Sequence, residues 1–114
     1  MTQEDKDLLL NDLCARLPYG VKVNNEIHGD FKIYGICENF VFGRNEVCHM
    51  DFDVEKIKPY LFPLSSMTEE QKKELTCIID SDYAQIDWYN KNHIDYRCLI
   101  PKGLAIDATG LNIY

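Results

Sequence analysis

Apolar residues change their period between Leu17 and Val21, and Pro18 and Gly20 stand at the change. Before it, Leu9, Leu10, Leu13, Cys14 and Leu17 recur at helical spacing, with Lys6, Asn11, Asp12 and Arg16 on the remaining surface. Thr2 with Asp5 forms a capping-box pattern at the start of that helix, and Glu4 and Asp5 suit its positive N-terminal dipole. After the change, Val21, Val23 and Ile27 alternate with polar residues, as in a half-buried strand. A chain that makes one helix and then turns to alternation is confined to mixed architectures.

The alternation continues through Phe31 to Phe42 and Glu46 to Val54, with turns expected at His28-Gly29-Asp30 and Gly43-Arg44-Asn45. A small antiparallel meander of three or four strands is the expected product. In the connector IKPYLFPLSS, Pro59 and Pro63 argue against a central strand. Ser66 with Glu69, or Thr68 with Gln71, then opens a helix running to about Ile79, with Leu75, Ile78 and Ile79 on its buried side. Asp80-Ser81-Asp82 supplies a cap for a second helix, whose aromatic face combines Tyr83, Ile86, Tyr89 or Trp88, and Ile94. In the tail, Leu104 to Ile106 is apolar enough to dock as a short strand. At 114 residues the chain has room for one real core and too little for two. The expected architecture is therefore one α+β domain over residues 1–114: an N-terminal helix, the meander, and two C-terminal helices packed on one face.

Charge and cysteine content narrow the function. Nineteen acids against 12 bases leave −7, which disfavours nucleic acid and anionic membranes as partners. The surplus sits early: residues 1–55 hold 11 acids and 5 bases, a balance of −6, and residues 56–114 hold 8 and 7, a balance of −1. Lys56, Lys58, Lys72, Lys73 and Arg97 are the one plausible basic patch, and they are dispersed. The start, MTQEDKDLLL, lacks the basic opening of a secretory signal, and no apolar run approaches the roughly 20 residues of a membrane span. The expected compartment is the cytoplasm. Cys14, Cys37, Cys48, Cys77 and Cys98 are odd in number, form no CxxC pair and lie beside apolar residues, so buried reduced thiols are expected. Cys77, His93 and Cys98 match no common zinc spacing.

Two polar clusters carry the chemistry that is available. His49, Asp51 and Asp53 alternate along a strand, so they share one face about 7 Å apart, as ligands for a hard divalent cation or as a base with two acids. The opposite face, Cys48, Met50, Phe52 and Val54, reads as core, a contrast that favours the trio being the wet side of a half-buried antiparallel strand. His93, Asp95 and Arg97, beside Tyr96 and Trp88, form the second cluster. There Arg97 would clamp an anion while Asp95 orients His93, or the same groups would make a polar knot that fixes the fold. Tyr83, Trp88, Tyr89 and Tyr96 concentrate aromatic surface, the kind that dominates interfaces. No GxSxG elbow, phosphate-binding glycine loop, RNA-binding signature or zinc-finger pattern is present.

Three blocks, DLCARLPYGVKV, IKPYLFPLSSMTEEQ and WYNKNHIDYRCLIPKGLAI, resemble in order and distance a group of small proteins common in Bacteroidales genomes and their prophages. That group carries no established activity, so the resemblance implies an origin and a compact frame and assigns no catalytic residue. The chain departs from the group's pattern at Phe62, where a basic residue is usual, and at Cys98, where glycine is usual. The meander is the poorly matched part, and a surface that varies on a persistent frame suits partner-specific contacts.

The expected function is thus a non-enzymatic, cytoplasmic protein-binding or adaptor protein of phage or mobile-element type, without a cofactor. Aromatic burial would hold the partner, and acidic groups at the rim would steer it. The alternatives are a module for a small anion or nucleotide using His93, Asp95, Tyr96, Arg97 and Trp88, and a metal-dependent hydrolase built on His49, Asp51 and Asp53. Homo-oligomerisation stays open.

Overall fold

Thr2 begins the first helix as expected: its Oγ1 accepts the backbone N–H of Asp5 at 3.1 Å, and α1 runs over Gln3–Arg16. A 3-10 turn at Leu17–Tyr19 carries Pro18, and Gly20, at φ 69°, closes it in the left-handed conformation that glycine takes without strain. The chain is a computed structural model that describes residues 1–78 and 82–114. It is α+β, with seven strands among the described residues: β1 Lys22–Asn25, β2 Gly29–Cys37, β3 Phe40–Arg44, β4 His49–Asp53, β5 Ile57–Pro63, β6 Ile94–Asp95 and β7 Ile106–Asp107. Helices α2, Glu69–Thr76, and α3, Asp82–Lys91, lie between β5 and β6. No described helix is long and apolar enough to cross a membrane.

The sheet is larger than the expected three or four strands, and it is mixed. Its order is β4-β3-β2-β1-β5-β6; β1 to β4 form antiparallel pairs, while β6 and β7 both run parallel to β5. The expectation that Pro59 and Pro63 exclude a central strand is corrected here, because β5 pairs with β1, β6 and β7. The prolines are tolerated because those ladders draw on other groups: Phe62 donates its N–H to the His93 carbonyl at 2.8 Å, and Leu61 accepts from Ala108 at 2.8 Å. β7 is the short docked strand expected at Leu104 to Ile106, shifted to Ile106–Asp107, whereas β6 is two residues long and no periodicity announces it.

Both expected turns move by a few residues, for one reason. Asn25 Oδ1 accepts from Ile27 N–H and His28 N–H, and Asn45 Oδ1 accepts from Val47 N–H and Cys48 N–H. Each asparagine closes its own turn, so Ile27 and Val47 sit exposed in loops, and Gly43 and Arg44 stay within β3.

Leu9 and Leu13 of α1 pack on the face of the sheet that carries Val21, Val23, Phe31, Ile33, Val41, Phe52, Ile57 and Leu61, and Leu99 and Leu104 close the same core. The polar side of α1 differs from expectation, since Asp12 and Arg16 are both 0% exposed while Cys14 is exposed. The buried-thiol expectation fails likewise: Cys14, Cys37, Cys77 and Cys98 are exposed and Cys48 is half-buried, all five free. Helix α2 opens on the Thr68–Gln71 capping box, with both reciprocal hydrogen bonds made. It buries no residue fully, so the picture of two helices packed alike on one face is too simple; α3 buries Trp88 and Asn90, and Tyr83 is 85% exposed. Ile79 and the cap at Asp80 and Ser81 lie outside the described residues.

Candidate functional site on the open face of the sheet

The C-terminal polar cluster is engaged within the fold. Asp95 Oδ1 and Oδ2 accept the N–H groups of Leu99 and Ile100 at 2.8 and 2.9 Å, so its carboxylate caps the turn that follows β6 and does not orient His93. Arg97 reaches Asp12 Oδ1 at 3.3 Å, with its guanidinium 4.9 Å from the centre of the Tyr96 ring. Tyr96 stacks on Tyr89 at 5.3 Å, Tyr89 meets Trp88 edge-on at 5.9 Å, and the Trp88 indole N–H donates to Glu74 Oε2 at 3.3 Å. His93 lies flat on Tyr114, with ring centres 3.8 Å apart. Burial, then the positive charges of Arg16 and Lys22, push its pKa down to about 4, so its ring is neutral near neutrality. Among the described residues, His93 Nδ1 and Tyr96 Oη are buried without a hydrogen-bond partner.

What organises this cluster is a pair the polar reading of α1 placed on the surface. Asp12 and Arg16 form a wholly buried ion pair, Arg16 Nε to Asp12 Oδ2 at 2.9 Å, and Arg16 also donates to the Ile94 carbonyl at 2.6 Å and the Tyr89 carbonyl at 3.4 Å. The signal was present in the spacing: Leu9, Asp12, Leu13 and Arg16 follow the i, i+3, i+4, i+7 rule of a single buried stripe.

His49, Asp51 and Asp53 stand on the outer face of β4, His49 and Asp51 exposed and Asp53 half-buried, with Phe52 turned to the core. Asp53 Oδ1 accepts Glu55 N–H at 3.0 Å, and His49 meets the edge of the Tyr34 ring at 5.8 Å. Among the described residues no group of three or more His, Cys, Asp or Glu side chains that could hold a metal ion is gathered. The trio has another property. β4 is the outermost strand. Asn45 N–H donates to the Cys48 carbonyl and Val54 N–H to the Asn39 carbonyl, which sets the hydrogen-bonding alternation of the β3–β4 ladder. By that alternation the backbone groups of His49, Asp51 and Asp53 point away from β3, to the unpaired edge.

Beside this edge the outer face is aromatic. Cross-strand pairing sets Phe40 beside Asp53 and Phe42 beside Asp51 on β3, and alternation after the inward Phe31 and Ile33 turns Tyr34 outward on β2, at a bulge that leaves it without a partner on β3. Tyr34 and Phe40 are 48% and 46% exposed, and Phe42 is half-buried.

A second feature of this face escapes the sequence. The register places Lys22 opposite Lys32, Lys32 opposite Arg44 and Arg44 opposite His49, one basic row across β1 to β4. The dispersed lysines expected to form a basic patch are not its members. No family model, curated protein or solved structure matches the chain.

Proposed function

We propose that this is a non-enzymatic binding protein whose partner is another protein, docked on the outer face of β2 to β4 and along the unpaired edge of β4. One observation carries this reading: Tyr34, Phe40 and Phe42 stand half-exposed on a sheet face that runs directly into an unpaired strand edge. Aromatic side chains supply contact area at small entropic cost, and a strand edge supplies backbone hydrogen bonds to an extended segment. Glu38, Asp51 and Asp53 at the same end of the face steer a basic partner. A phage or mobile-element origin belongs to the same proposal and rests on the sequence resemblance alone.

The test is photo-crosslinking in bacterial lysate, with a benzophenone side chain at Phe40 in one protein and at Tyr83 in the other. A discrete adduct at Phe40, absent at Tyr83 and lost when Asp51→Lys is added, is the expected result. No adduct at Phe40, or the same adducts at both positions, overturns the proposal. Tyr34→Ser with Phe40→Ser removes the complex at a cost of about 1–2 kcal/mol of stability, since both rings are half-exposed and pack only across the sheet surface.

A further inference from the structure

The basic row on the outer face is electrostatically unfavourable as it stands. Directly opposed side chains in antiparallel strands have Cβ atoms about 4.5–5.5 Å apart, and like charges there repel. Yet among the described residues Lys22, Lys32 and Arg44 make no ion pair with a carboxylate. Each is nonetheless held. Lys22 Nζ donates to the Ile113 carbonyl at 2.8 Å. The stem of Lys32 lies against the Gly20 turn, so closely that a Cβ at Gly20 would stand 2.7 Å from Lys32 Cε. The Arg44 guanidinium sits 5.7 Å from the centre of the Tyr34 ring, whose other neighbour is His49.

Lys22, Lys32, Arg44 and Asn45 line a cleft of about 200 Å³. Two acids share it. Asp30 is occupied, its Oδ1 accepting from the Tyr60 hydroxyl at 2.6 Å and from Asn24 Nδ2 at 2.9 Å, and Glu46 is exposed and makes no ion pair among the described residues. Three cations against two carboxylates leave the cleft net positive on a chain of net charge −7.

We infer that Lys32 and Arg44 form a binding site for a phosphate-type oxyanion. A tetrahedral dianion offers acceptors to both cations at once, takes the planar fork of arginine in two parallel hydrogen bonds, and relieves the repulsion along the row. The site goes beyond the protein-docking proposal, because it needs no partner protein; it adjoins that surface at Tyr34, the ring beside the Arg44 guanidinium. Inorganic phosphate and the phosphoryl group of a nucleotide share this chemistry.

The experiment is an NMR titration of the isotope-labelled chain at low ionic strength with inorganic phosphate, with adenosine monophosphate in a second arm and chloride at matched ionic strength as control. Saturable shifts at Lys32 and Arg44 are expected, weakened at least about tenfold by Lys32→Gln or Arg44→Gln and unchanged by Lys102→Gln. Adenosine monophosphate binding about tenfold or more tighter than phosphate assigns a nucleotide as the source; equal affinity assigns the free ion. Both variants change exposed side chains, so without phosphate their thermal midpoints stay level or rise. Shifts that grow without saturating, that chloride reproduces, or that persist undiminished in both variants overturn the inference.

Discussion

Arg16 Nη2 donates a 2.6 Å hydrogen bond to the carbonyl of Ile94, joining the end of α1 to a strand 78 residues further along the chain. Asp12 neutralises the same guanidinium at the next turn of the helix and also takes Arg97. A buried charge pair of this kind is costly to form and costlier to break. Asp12→Ala should therefore lose about 3–5 kcal/mol, because it leaves Arg16 buried and unpaired. Asp12→Leu combined with Arg16→Met should cost less than either single change, and urea unfolding of the three variants reads the difference.

His93 makes stability depend on pH in a defined direction. Its folded pKa is about 4, against 6.5 for the unperturbed group, because burial first, and Arg16 and Lys22 next, disfavour the imidazolium. Between those values the unfolded chain holds the proton and the folded chain does not. The contribution is thus complete above pH 6.5 and is lost as pH falls toward 4, by up to about 3 kcal/mol. His93→Asn keeps a residue that tolerates the left-handed φ of 57° and cannot titrate. Subtracting its unfolding free energy from that of the parent at about pH 7 and about pH 4.5 should isolate the loss; parallel curves would contradict it.

The Tyr114 hydroxyl bridges two strands, accepting Lys22 N–H at 2.9 Å and donating to the Tyr60 carbonyl at 2.8 Å. Burial raises its pKa to about 12, so the proton stays on the oxygen. Tyr114→Phe keeps the stack on His93 and strands both backbone groups, at a cost of about 1–3 kcal/mol. Hydrogen exchange should show the Lys22 amide losing protection before the rest of β1.

Gly43 of β3 sits tight against β2. A Cβ there would stand 2.9 Å from Phe31 Cβ, an atom close to the backbone that cannot swing aside. Gly43→Ala should cost about 1–3 kcal/mol by overpacking. A thermal midpoint equal to the parent's would show that the strands yield instead.

The thiols give a direct chemical readout. Cys14, Cys37, Cys77 and Cys98 should react with an aromatic disulfide reagent in the folded state, and half-buried Cys48 more slowly. Reaction confined to the unfolded protein would contradict the exposures.

Local signals carried much of the fold. The helical stripe of Leu9 and Leu13, the stop at Pro18 and Gly20, the Thr68–Gln71 box and the alternation around Phe52 each depend on neighbours within a few residues, and each is present as read. β6 was illegible because a two-residue strand exists only through its partner, here β5, and for the same reason the short strand expected at Leu104 to Ile106 lies at Ile106–Asp107. The same holds for the candidate sites. His49, Asp51 and Asp53 were legible as one wet face of a strand, and that this strand is the edge is a fact of sheet order.

Sequence alone determined the mixed architecture, the first helix and the polarity of β4, because hydrophobic period and capping act over one or two turns of chain. Tertiary structure decided that Asp12 and Arg16 are interior, since their partners at Ile94, Tyr89 and Arg97 arrive from the far end of the chain. It also decided that Lys22, Lys32, Arg44 and His49 form one row. Those residues are scattered in sequence, and only the pairing register, set by burial of one face and by the Asn25 and Asn45 turns, brings them side by side.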